Sequence, residues 1–118
     1  MTMKIVSKQE LMTMPVGTPF AEYTGGFWPD GFDIFAGSTC SDVEDFYFRS
    51  IATAESEDMY EMIGRHEGMA AYGDSYPVDL TISREGMYDP NTRYLVWEPD
   101  DVRRIVNLLL GATKDDRD

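Results

Sequence analysis

Prolines and glycines cut this chain into apolar runs suited only to short strands and helices of a few turns. Pro15 forbids a helix from continuing past Met14, because proline lacks the amide hydrogen and disfavours helical backbone in the residue before it. Pro19 marks a strand start or an edge. Gly25, Gly26, Pro29 and Gly31 mark a loop, Pro77 and Pro90 fall in irregular stretches, and Pro99 opens a helix at a position where its missing N–H costs nothing. The longest apolar stretch, Ile105 and Val106 with Leu108, Leu109 and Leu110, is broken by Asn107, far short of the ~20 residues that span a bilayer. Residues 1–4 carry no long apolar segment, so no secretory signal is expected. With 118 residues, 42% of them hydrophobic and 13% aromatic, one core is the expectation: a single domain over 1–113 and a polar tail over 114–118.

Between these breaks the periodicities alternate. Residues 4–6 read as a short strand, and Ser7 with Glu10 forms a capping box, each side chain reaching the other's amide, with Val6 and Leu11 as its hydrophobic staple. Residues 18–24 and 32–37 read as a β-hairpin with a long tip. A third strand over 44–51 places Phe46 and Phe48 on one face and Asp45, Tyr47 and Arg49 on the other. A second helix is predicted over 53–64, capped by Thr53 or Ser56 and stopped by Gly64 and Gly68, with 69–77 irregular. Val78, Leu80 and Ile82 alternate with polar residues as an inward-facing set, and 93–98 reads as a strand. Val102, Ile105, Val106 and Leu109 follow the helical spacing after Pro99. Runs of strands broken by helices predict an α+β fold, with a mainly antiparallel sheet of about five strands and three helices.

Charge is the feature that bears on function. Asp and Glu number 22 against 10 Lys and Arg, a formal net charge of -12. A surface of this sign cannot hold phosphates or anionic lipid, which excludes direct nucleic-acid binding and membrane attraction. The excess is uneven. Between residues 9 and 64, Glu10, Glu22, Asp30, Asp33, Asp42, Glu44, Asp45, Glu55, Glu57, Asp58 and Glu61 face a single base, Arg49. From there to Arg104 the acids are mixed with Arg65, Arg84, Arg93, Arg103 and Arg104. A one-signed field accelerates encounter with basic partners, and the same charge also keeps a small protein soluble.

Few known chemistries fit. One cysteine, Cys40, excludes an internal disulfide, suits a reducing compartment and reads as a buried small hydrophobe. With one histidine besides, a structural zinc site is excluded; His66 reads as a cation at a helix end. Phosphate-loop, dinucleotide, nucleophile-elbow and EF-hand spacings are absent, and no cofactor or metal is expected. Glu98 beside Trp97 is the best single candidate for acid–base work, against a structural role at the start of the last helix. Phe27 and Trp28, between glycines and Asp30, have the composition of a protein-binding hot spot or of a lid folded onto the core.

The run from Lys4 through the capped helix to Met14-Pro15-Val16-Gly17-Thr18, then Tyr23, resembles a group of small phage and prophage proteins of no assigned activity, as does Val96-Trp97-Glu98-Pro99 near the end. The resemblance covers about a third of the chain and implies a phage origin and the host cytoplasm. It carries over no catalytic residue. The expectation is a non-enzymatic acidic protein that engages a basic, nucleic-acid-binding type of host protein, as an inhibitor or DNA mimic. Its binding residues would be Asp30, Asp33, Asp42, Glu44, Asp45, Glu55, Glu57, Asp58 and Glu61, with Phe27 and Trp28 as anchors. The alternatives are an accessory or assembly domain whose acidity serves solubility, and a small enzyme or ligand binder using Glu98.

Overall fold

The computed structural model of the chain describes residues 3–27, 31–39, 45–86 and 89–114. The strands are β1 (Met3–Ser7), β2 (Pro19–Tyr23), β3 (Asp33–Ser38), β4 (Phe46–Ser50), β5 (Ile82–Arg84) and β6 (Arg93–Trp97). The helices are α1 (Lys8–Met12), α2 (Met59–Tyr72) and α3 (Pro99–Gly111). The six strands form one antiparallel sheet in the order β1-β6-β2-β3-β4-β5, the α+β fold that the sequence predicts. The first segment is a true strand, and the last strand inserts between the first two.

Pleat alternation and register decide the two faces. Val6 lies opposite Tyr94, Phe20 opposite Val96, and Phe35 opposite Phe48, so these side chains share one face. There Val6, Leu11, Phe20, Phe35, Phe46, Tyr94 and Val96 make the core, each fully burying a side chain worth roughly 1.5–3 kcal/mol. Phe20 meets Phe46 and Tyr94 edge to face at 5.5 and 5.6 Å, the arrangement aromatic quadrupoles favour. α1 covers this face at one side. The Ser7 hydroxyl accepts from the Glu10 amide at 3.1 Å, and both staple residues, Val6 and Leu11, are buried. The reciprocal half of the box does not form: the Glu10 carboxylate lies 3.2 Å from the Lys4 ammonium instead. The opposite sheet face is thinly covered, with Phe32 and Trp97 in contact at 4.9 Å while Met3 and Ile5 stay exposed.

Several local expectations are corrected. α2 starts at Met59, with Asp58 rather than Thr53 or Ser56 as its cap, accepting from the Glu61 amide at 2.8 Å. It runs through Gly64 and Gly68 to Tyr72, and stops at Gly73, whose φ of 71° is the left-handed conformation a helix end requires. His66 therefore sits inside the helix, where its Nε2 accepts from the Ala54 amide at 3.5 Å. β5 is only three residues long, and Val78, Leu80 and Ile82 are exposed rather than inward. Past the ends of β4 and β5 the pairing continues through the Glu55 amide on the Pro77 carbonyl and the Asp79 amide on the Thr53 carbonyl, each 2.8 Å. Residues 51–81 thus form an arm beyond the sheet with α2 at its end, and no core lies behind that alternating set. Cys40 falls outside the described residues.

Candidate functional site at the acidic end of the sheet

Strand direction sorts the connections into two ends. Ser7 pairs with Arg93, Arg93 with Tyr23, Asp33 with Ser50, and Arg49 with Ile82, so these residues mark one end. The 24–32 loop, the 51–81 arm and the approach to β6 over 89–92 all leave from that end. Among the described residues it gathers Glu22, Asp33, Glu55, Glu57, Asp58, Glu61, Glu67, Asp74, Asp79 and Asp89, and α1 starts from it with Lys8 and Glu10. Three arginines lie with them, and each is engaged. Arg49 donates to the Leu80 carbonyl. Arg65 lies 3.1 Å from the Glu61 carboxylate and stacks over Tyr76. Arg93 stacks over Tyr23. The opposite end carries Arg84, Arg103 and Arg104 among its acids, with Arg103 paired to Asp100.

Among the predicted binding residues, Glu55, Glu57 and Asp58 are exposed at the acidic end, Glu61 is half-buried, and Asp33 is half-buried on the core face. Asp45 is not a surface group at all. Its side chain is 0% exposed and accepts from Arg84, from the Gly86 amide and from the Phe46 amide. Burial alone would push the Asp45 carboxyl up, but the bonds from Arg84, Gly86 and Phe46 and the Arg84 charge outweigh it and hold the carboxyl below the usual aspartate value. Asp45 is a structural clamp on the β5–β6 connection, and the sequence reading of it as an anionic contact is corrected. Asp30, Asp42, Glu44 and Trp28 lie outside the described residues.

Phe27 does not fold back as a lid: it is 100% exposed. It lines a cavity of about 250 Å³ with Tyr23, Ile5, Leu95 and Glu22. An aromatic that sequence reasoning missed is Tyr60, 87% exposed in the first turn of α2 beside Glu57 and Asp58. Its signal was present, since once Asp58 is recognised as the cap, helical spacing sends Tyr60 outward.

The core face remains open beside Lys8, at the start of α1. A second cavity, of about 210 Å³, is floored there by Phe20, Phe46, Phe48 and Tyr94 and edged by Glu22, Asp33 and Glu85. Lys8, 0% exposed, lies 2.8 Å from Glu85 and over the Phe46 ring, so it neutralises one of the three acids from below. Burial raises the Asp33 carboxyl, with a hydrogen bond from Ser50 opposing the shift. Burial and the charge of Glu85 and Glu22 push the Tyr94 phenol up, keeping it a neutral donor to Glu85. Carboxylates over aromatic rings suit a cationic side chain. Among the described residues no three His, Cys, Asp or Glu side chains converge closely enough for a metal ion.

Glu98 does not line the cavity of about 350 Å³ beside Trp97, whose walls are Pro15, Val16, Gly17, Thr18, Pro99, Val102 and Arg103. It stands as the residue before the first turn of α3. No helix among the described residues is long and apolar enough to cross a membrane. Comparison with known protein families, with curated proteins and with solved structures finds no match to this chain.

Proposed function

We propose that this protein binds the basic surface of another protein through the acidic end of its sheet, with Phe27 and Tyr60 as aromatic anchors. The observation that carries the reading is the sorting of acidic segments by strand direction. Residues distant in sequence, Glu22, Glu55, Glu57 and Asp89, leave the sheet at the same end, and the arginines nearby are already engaged. Such a field steers a cationic partner and raises its association rate, while exposed aromatics slow its departure. Carboxylates arrayed in this way are also suited to the surface that a nucleic-acid-binding protein offers to phosphates. The reading therefore includes inhibition of such a protein by DNA mimicry, in a phage-infected host.

Glu22, Glu55 and Glu57 are exposed and hold no cap, so they can be reversed without loss of fold. The test compares the wild-type chain with Glu22→Lys/Glu55→Lys/Glu57→Lys as bait in a bacterial lysate eluted with a salt gradient. Wild type is expected to retain basic nucleic-acid-binding proteins that leave as salt rises, and the reversed chain to retain none of them. Capture that is indifferent to salt and to the three reversals would instead assign the acidity to solubility.

A further inference from the structure

We propose that the cavity of about 210 Å³ on the core face takes the ammonium group of one lysine side chain, held by Glu22 and Asp33 over the ring of Phe48. Strand register builds it. Glu22 lies opposite Tyr94, Asp33 lies between Phe20 and Ser50, and Phe48 precedes Ser50 by two places, so carboxylates and rings share one face. Phe20, Phe46 and Tyr94 are buried, whereas Phe48 is half-buried and meets Phe20 edge to face at 6.2 Å. Phe48 is thus the ring that offers surface to an occupant.

The same floor already holds one ammonium. The fully buried Lys8 lies 2.8 Å from the Glu85 carboxylate and 5.9 Å from the centre of the Phe46 ring. Ring face and carboxylate together replace the water that a buried cation gives up. Glu22 and Asp33 repeat these components but make no ion pair among the described residues. Arg49 and Arg93 lie on the opposite sheet face, where they engage the Leu80 carbonyl and the Tyr23 ring. The edge of the cavity therefore sets three carboxylates against one ammonium. Burial holds the Asp33 carboxyl up, and an arriving cation would favour its charged form.

Shape and donor count select a lysine. Drug-sized ligands fill roughly 300–1,000 Å³, so this space suits a single side chain. The carboxylates do not converge closely enough for a bare metal ion. They come from β2, β3 and the segment after β5, and so surround a point instead of lying in one plane. Three N–H donors radiating from one nitrogen match that arrangement better than the planar fork of a guanidinium, and a quaternary ammonium has no donor at all.

The probe is Nα-acetyl-lysine methylamide, titrated into the full isotope-labelled chain at ~0.15 M salt and followed by NMR. Saturable shifts are expected at Glu22, Asp33 and Phe48, and the Asp33 carboxyl is expected to titrate at lower pH with the probe bound. Asp33→Asn relieves a partly buried charge and leaves the fold intact; it is expected to weaken binding about tenfold, as loss of a charge-assisted hydrogen bond requires. Phe48→Leu is expected to weaken it about threefold. The uncharged Nε-acetylated probe is expected to leave the spectrum unchanged, and the arginine analogue and tetramethylammonium to bind more weakly than the lysine probe. Shifts spread over the whole acidic end, equal binding of tetramethylammonium, or indifference to Asp33→Asn would overturn the site. The source of the lysine, a basic protein, rests on the function proposed above, and the two fail differently. Salt-dependent capture from the lysate by a chain whose cavity ignores the probe would refute the cavity alone. Probe binding without such capture would refute the protein partner and, with it, a lysine side chain as the occupant.

Discussion

Asp45 and Asp33 show how one residue type takes opposite roles within a single small sheet. The Asp45 carboxyl is charged and satisfied by three donors, whereas the Asp33 carboxyl is held partly out of water with the Ser50 hydrogen bond in compensation. Their linkages to pH therefore have opposite signs. Asp45 has a lowered folded value, so its stabilisation is present above the ordinary value of 3.8 and is lost as pH falls through the folded value below it. Asp33 has a raised value, so its contribution is present below 3.8 and is lost as pH rises through the folded value above it. Asp45→Asn should cost about 2 kcal/mol at pH 7, since it removes a charge-assisted bond from Arg84, and the cost should vanish in acid. Asp33→Asn should stabilise the protein at pH 7 and be neutral below pH 3.8. Urea unfolding of both variants from pH 7 to pH 3 checks the two signs together. The role of Asp45 was hidden from sequence because Arg84 lies 39 positions away. The Ser7 cap of α1 was readable because donor and acceptor lie three positions apart.

Among the elements, α2 was only partly legible. The existence of a helix here is readable, but its bounds are not: Glu55 and Glu57 precede Met59 instead of lying in the first turn, Met59 and Ile63 are exposed despite their four-residue spacing, and Gly64 and Gly68, which read as stops, lie inside it. At Gly68 a Cβ would come within 2.7 Å of the Asp74 carboxylate, the end of an exposed side chain that can shift aside. The true stop, Gly73, stands at positive φ. Gly73→Ala should therefore cost about 1 kcal/mol. Because α2 belongs to the arm and not to the core, this loss should appear as faster amide exchange within residues 59–72. Exchange in β2 and β6, which flank the core, should not change. Uniform acceleration over the whole chain would mean that the arm and the sheet unfold as one unit.

At the scale of the molecule the fold is a charge-sorting device. Strand direction sends Glu22, the acidic 51–81 arm and Asp89 to one end of the sheet and the balanced α3 to the other. Crowded carboxylates destabilise the folded state at low ionic strength. Stability should therefore rise by about 1 kcal/mol as the Debye length is shortened from ~30 to ~3 Å. Urea unfolding at low protein concentration, where self-association does not contribute, measures this change. A fall in stability with salt would mean that the ion pairs of Lys8, Arg65 and Arg84 outweigh the repulsion.

Readable from the residues alone is what short-range physics controls: the capped start of α1, the breaks at Pro15 and Pro99, the shared face of Phe46 and Phe48, and the total charge. From these the α+β class followed, because period and punctuation act over fewer than ten residues. Long-range packing settles that β6 enters between β1 and β2, that Asp45 is buried while Tyr60 is exposed, and that Glu22, the 51–81 arm and Asp89 share an end. Those outcomes depend on pairing between residues tens of positions apart, where the chain's local preferences are the same for many competing registers and a long-range contact chooses among them.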